Sequence, residues 1–168
     1  MGKRKKKYIP KSFESDNSLG KADTHASLYR SMILSKPYNK LTANQKHLYT
    51  LCKSELYGKS KNDLEQFNEY FREKGINKHD HPEYFTMNWG KVKKGGLYDC
   101  YSNTNSFRTD MNALIEHGFV DCILCGADTR SKSLYKLSGR WRFYGTDKFS
   151  VPENIKTISM TGSRKKKE

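Results

Sequence analysis

The chain has 168 residues and a formal net charge of +14, from 32 Lys and Arg against 18 Asp and Glu. Its 35% hydrophobic content suffices for one modest core, its 21 Tyr, Phe and Trp argue against a wholly disordered chain, and no apolar run approaches the length of a membrane span. So large an excess of cations points to a polyanionic partner, nucleic acid or an anionic surface, and says nothing about fold.

Residues 1–22 read as a flexible basic arm: Lys3, Arg4, Lys5, Lys6, Lys7 and Lys11 stand among Ser, Gly and Asn with few apolar anchors. Tyr8, Ile9 and Pro10 follow where a secretory signal would place an apolar segment. The expectation is a cytoplasmic protein whose Cys52, Cys100, Cys122 and Cys125 are reduced thiols.

One domain is expected over residues 23–150. Ala26 to Leu34 suits a short helix stopped by Ser35-Lys36-Pro37, because the residue before a proline avoids the helical region. Thr42 with Gln45 three residues on makes a capping box for a helix whose apolar stripe is Leu48, Leu51, Cys52 and Leu56. A second helix is predicted over Asn62–Lys74, with Leu64, Phe67 and Phe71 on one face, Gly75 as its end and Ile76 beyond it. After the loop Lys78-His79-Asp80-His81-Pro82 come a strand at Tyr84–Met87 and a short helix from Asn88 through Lys94, closed by Gly95-Gly96.

The long amphipathic helix begins near Ser102, Asn103 and Thr104. It places Phe107, Met111, Leu114 and Ile115 on one face and ends at His117-Gly118. Phe119–Leu124 and Ser133–Leu137 then read as two strands joined by a turn from Gly126, a hairpin tipped by Arg130 and Lys132. Residues 151–168 form a second basic tail with Arg164, Lys165, Lys166 and Lys167, although Ile155 and Ile158 offer docking points. With the basic clusters of the first eleven and last five positions set aside, the remainder carries +5. The arms therefore supply sequence-blind phosphate affinity, and any specific recognition belongs to the middle.

This order of elements is that of a winged helix-turn-helix, an α+β domain in which the long helix enters the major groove and the hairpin is the wing. Leu114-Ile115-Glu116-His117-Gly118-Phe119-Val120 resembles the passage from recognition helix to wing in bacterial winged-helix proteins. Leu134-Tyr135-Lys136-Leu137-Ser138 with Arg140-Trp141, Leu41 to Tyr49, and Phe85-Thr86-Met87-Asn88-Trp89 resemble one group of them over roughly residues 31–145. That group, often described as replication-initiator-like, occurs on plasmids, conjugative elements and phages. The resemblance implies duplex DNA binding in replication or transfer, with other replication or transfer proteins and a second copy of the chain as further candidate partners. It leaves a transcriptional regulator as the alternative role.

On the long helix Asn103, Asn105, Ser106, Arg108, Thr109 and Asn112 are expected to face outward. Arg pairs with guanine and Asn with adenine in the major groove, while hydroxyls suit phosphates. The competing reading is an ordinary solvated face, on which Lys and Glu would be commoner. Arg130 and Lys132 suit the backbone or minor groove, and Lys91, Lys93 and Lys94 suit a phosphate clamp, against plain solvation in both cases.

Cys122-x-x-Cys125 has the spacing of metal ligands, with His117 and Cys100 as further candidates. Residues three apart on a strand face opposite sides, however, and Cys122 shares its side with Val120 and Leu124. It reads as a core thiol. His79-Asp80-His81 evokes the metal motif of nicking enzymes, but Asp80 and Pro82 are unsuited to the buried strand such a motif needs. No phosphate-binding glycine loop or nucleophilic triad is present. The expectation is a DNA-binding protein with no catalytic residue, metal or cofactor and no membrane partner. The rivals are an RNA-binding protein, marked by aromatics exposed on a sheet face, and a metal-dependent nickase.

Overall fold

The computed structural model describes residues 26–56, 61–76, 83–98, 104–126 and 132–152. Among these are seven α-helices, one 3-10 turn and one three-stranded antiparallel sheet, a mixed α+β arrangement. In chain order they are α1 (Arg30–Ile33), α2 (Lys36–Lys40), α3 (Ala43–Glu55), α4 (Lys61–Glu65), α5 (Asn68–Glu73), β1 (Tyr84–Thr86), α6 (Trp89–Lys94), α7 (Thr104–Glu116), β2 (Val120–Leu124), β3 (Leu134–Leu137) and the 3-10 turn Arg140–Phe143. The arms expected at 1–22 and 151–168 lie outside the described residues, save Val151 and Pro152.

Local chemistry sets most of these ends. The Gln45 backbone N–H donates to Thr42 Oγ1 (3.3 Å) while the Thr42 N–H donates to Gln45 Oε1 (3.0 Å), the reciprocal pair expected at the start of α3. Asn88 Oδ1 accepts from the Lys91 N–H at 3.0 Å and starts α6. Helices α5, α6 and α7 all end with a left-handed glycine (Gly75, Gly96, Gly118) followed by an apolar residue whose N–H reaches back five positions: Ile76 to Phe71, Leu97 to Val92, Phe119 to Leu114.

Two expectations are corrected. Ser35-Lys36-Pro37 does not merely stop a helix; it opens another. The Ser35 hydroxyl accepts from the Tyr38 N–H, and Pro37 occupies the first turn of α2, where its missing N–H costs no hydrogen bond. The helix expected over Asn62–Lys74 is two. Phe67, at φ −106° and ψ 9°, leaves the helical region, and its N–H closes a tight turn onto the Leu64 carbonyl.

The sheet has the order β1-β3-β2 and is buried on both faces. Side chains alternate across it. Phe85, Val120, Cys122 and Tyr135 join the main core with Leu48, Cys52, Val92, Met111, Leu114, Ile115 and Phe119 from the α3, α6 and α7 side. Tyr84 and Leu134 join a second cluster with Leu64, Phe67 and Phe71, so that α4 and α5 cover the far face. The sheet aromatics Tyr84, Phe85 and Tyr135 are all buried, and none offers the exposed platform that the RNA-binding alternative needs.

Among the described glycines, the closest backbone approach is at the junction of α7 and the sheet. Gly118 sits at φ +81°, and a Cβ there would lie 2.6 Å from the Trp141 nitrogen, whose N–H donates to the Gly118 carbonyl at 3.0 Å. Beside it the Arg140 guanidinium donates to the carbonyls of Ile115 (2.9 Å), Val120 (3.3 Å) and Ser150 (2.8 Å) and pairs with Asp121 at 2.6 Å. One side chain thus clasps the end of α7, the start of β2 and the chain beyond the 3-10 turn.

Candidate nucleic-acid interface

Burying Phe107, Met111, Leu114 and Ile115 turns the opposite side of α7 outward. Asn105, Arg108 and Thr109 are exposed and Ser106 is half-buried. Asn105, Ser106 and Thr109, with Asp110, line an open cleft of about 780 Å3, whose other wall is the first turn of α3 and Tyr98. Asp110 fixes that wall: its carboxylate accepts from Gln45 Nε2 (3.1 Å) and from the Tyr98 hydroxyl (2.8 Å). Burial, and then the bond to Asp110, push the Tyr98 phenol far above its ordinary range, so it stays protonated as a donor.

Gln45 therefore does two things, capping α3 with its oxygen and holding α7 through its nitrogen. Sequence reasoning found the first through local spacing and missed the second, which joins residues 65 positions apart. Asp110 and Tyr98 went unrecognised for the same reason.

Asn112 departs from expectation. It is half-buried, and its side-chain oxygen is enclosed without a hydrogen-bond partner, so that oxygen is not turned outward to read a base. Position 112 lies only about 100° around the helix from Met111, close enough to the core to be covered.

Lys91 departs more completely. Its ammonium bonds Glu55, Asp63 (2.8 Å) and both oxygens of Thr86, joining α3, α4, β1 and α6. Burial alone would lower its pKa, but the Asp63 and Glu55 carboxylates outweigh burial and raise it. Lys91 is an internal tie, not a free clamp. Lys93 and Lys94, two and three residues further along α6, are exposed. Lys132 is exposed, yet its ammonium is 2.7 Å from the second Asp63 oxygen. Bonds from Lys132 and Lys91 hold the Asp63 carboxyl down at about 2. Asn103, Arg130, Cys100 and the His79-Asp80-His81 segment lie outside the described residues.

Cys122 is buried in the main core, and burial pushes its thiol up to about 12. Cys125 does not face the opposite side as strand alternation implied. A register shift between Cys122 and Leu124 breaks the alternation, and Cys125 packs against the same core. His117 turns Nδ1 to the Ala113 carbonyl (2.8 Å) in its own helix and stacks on Tyr144. Among the described residues no group of three or more His, Cys, Asp or Glu is arranged to hold a metal ion, and no helix is long and apolar enough to cross a membrane. Compared with known families, curated proteins and solved structures, the chain matches no family model, no curated protein and no solved structure.

Proposed function

We propose that the chain binds double-stranded DNA as a winged helix-turn-helix protein, without catalysis, with α7 in the major groove and the β2–β3 hairpin as the wing. The observation that carries the reading is α7 itself: thirteen residues, apolar on the buried side, with Asn105, Arg108 and Thr109 exposed on the other. These are side chains suited to base edges and phosphates. With α4 and α5 taken as an insertion between α3 and β1, the order α3, β1, α6, α7, β2, β3, in which β3 lies between the other two strands, supports the winged-helix part. α7 supplies only Arg108 against Asp110 and Glu116, so the long-range attraction is assigned to Lys93, Lys94 and the basic chain ends. From the sequence resemblance, the proposed setting is replication or transfer of a bacterial mobile element.

The test is selection of bound duplexes from a randomised pool, followed by titration of Arg108→Ala and Thr109→Ala. Each variant is expected to lose about 1–3 kcal/mol on the selected site and little on random duplex. If the pool yields no preferred site, or both variants bind it like the wild type, α7 is not the reader. Nicking of supercoiled plasmid in Mg²⁺ would overturn the non-catalytic part.

A further inference from the structure

The one-sided runs of positive charge within the described residues are not on α7 but in residues 26–56 and 132–152, the latter with Lys132, Lys136, Arg140, Arg142 and Lys148 against Asp147 alone. Residues 26–56 hold Arg30, Lys36, Lys40, Lys46 and Lys53 against one acid, Glu55, whereas residues 104–126 hold Arg108 against Asp110, Glu116 and Asp121. Against this basic segment lies a groove of about 460 Å3, bounded by Tyr29 and α1, the second half of α3, the end of β3 and the 3-10 turn. None of its lining residues is acidic, and it shares no lining residue with the α7 cleft.

Aromatic rings and cations alternate around this groove. The Tyr29 ring is 70% exposed. Lys53 Nζ lies 5.7 Å from the centroid of that ring and 6.0 Å from that of Tyr49, held in place by a bond to the Ser27 carbonyl. On the other wall the Arg142 guanidinium lies 5.6 Å from the Trp141 ring, which is backed by Phe119 in a parallel stack at 6.0 Å. Among the described residues neither Lys53 nor Arg142 pairs with a carboxylate. Rings beside cations that meet no carboxylate among the described residues, in a concave surface, suit a chain that offers both π-faces and phosphates.

We infer that this groove is a second nucleic-acid site, specific for a single strand, in which bases stack on Tyr29 and Trp141 while Lys53 and Arg142 meet the phosphates. A duplex does not fit this chemistry, because its bases are stacked on one another and present only their edges and the backbone. An apolar protein partner fits it poorly, because docking would bury two cations without counter-charges. The inference does not rest on α7 reading duplex DNA.

The experiment uses the full chain, fluorescence anisotropy and two labelled probes over the same series of salt concentrations: oligo-dT of about 20 nucleotides and a random duplex of equal length. Tyr29→Ala removes an exposed ring and should leave the melting temperature unchanged. It is expected to weaken oligo-dT binding roughly 5- to 100-fold and duplex binding by less than twofold, and Tyr29→Phe restores the loss. Arg142→Gln is expected to weaken oligo-dT and reduce its salt slope by about 0.7. Unchanged oligo-dT affinity in Tyr29→Ala overturns the proposal. So do equal losses on both probes, which would make the groove part of a duplex interface. Loss of self-association at unchanged oligo-dT affinity would reassign it to a protein contact. A chain that shows no duplex preference yet behaves as expected on oligo-dT would sink the α7 reading alone.

Discussion

Asp63 accepts from Lys91 with one carboxylate oxygen and from Lys132 with the other, and its carboxyl falls from 3.8 to about 2. A carboxyl depressed by folding stabilises fully above its unfolded pKa, and that contribution is lost as pH falls through the folded value. Stability linked to Asp63 should therefore drain between about pH 4 and pH 2, by at most about 2 kcal/mol because the group keeps some solvent. Urea unfolding across that range should show a steeper decline in the wild type than in Asp63→Asn; parallel curves would mean the two lysines do not hold it. Asn112 has the opposite problem, an enclosed oxygen with no partner. Burying an unpaired acceptor costs about 1–3 kcal/mol, and an apolar residue of similar shape removes that cost. Asn112→Leu is expected to match or exceed the wild type in thermal unfolding, and a drop of several degrees would mean the oxygen is satisfied.

At the scale of elements, α4 and α5 turn a sheet that could face water on one side into one covered on both. Phe71 is buried in that cover and packs edge-on against Tyr84 at 5.3 Å. Phe71→Ala should cost about 3–5 kcal/mol of stability. Hydrogen exchange should rise first over residues 61–76 and β1; loss spread evenly over the chain would argue that the cover is not a separable layer. What could be read in the sequence divides along the same line. The Thr42–Gln45 box, the Asn88 cap and the glycine ends of α5, α6 and α7 are local, set by residues three to five apart, and they stood where spacing put them. Ser35 and Pro37 were seen as a stop because the same pair that ends one helix starts another. The break at Phe67 and the second role of Gln45 depend on surfaces that meet only in the fold. Lys91 read as one of three equal cations on α6, and only the neighbouring carboxylates of α3 and α4 tell it apart from Lys93 and Lys94.

Over the whole molecule the charge is concentrated at the chain ends, which hold 10 of the 32 basic residues within positions 1–11 and 164–168. Their deletion should weaken binding to every duplex by a similar factor and flatten the salt dependence, at about 0.9 per phosphate released, while the preferred site is kept. A salt titration of both forms on specific and random duplexes decides this, and selective loss of the preferred site would give the arms a part in recognition. Within the domain, Arg140 clasps the carbonyls of Ile115, Val120 and Ser150 together with Asp121. The end of α7 and the start of β2 are thereby fastened together. If α7 enters a DNA groove as proposed, this junction would meet the duplex already shaped. Stopped-flow association should then follow a single exponential whose rate rises linearly with DNA concentration and drops with salt, the kinetics of a collision rather than of an adjustment.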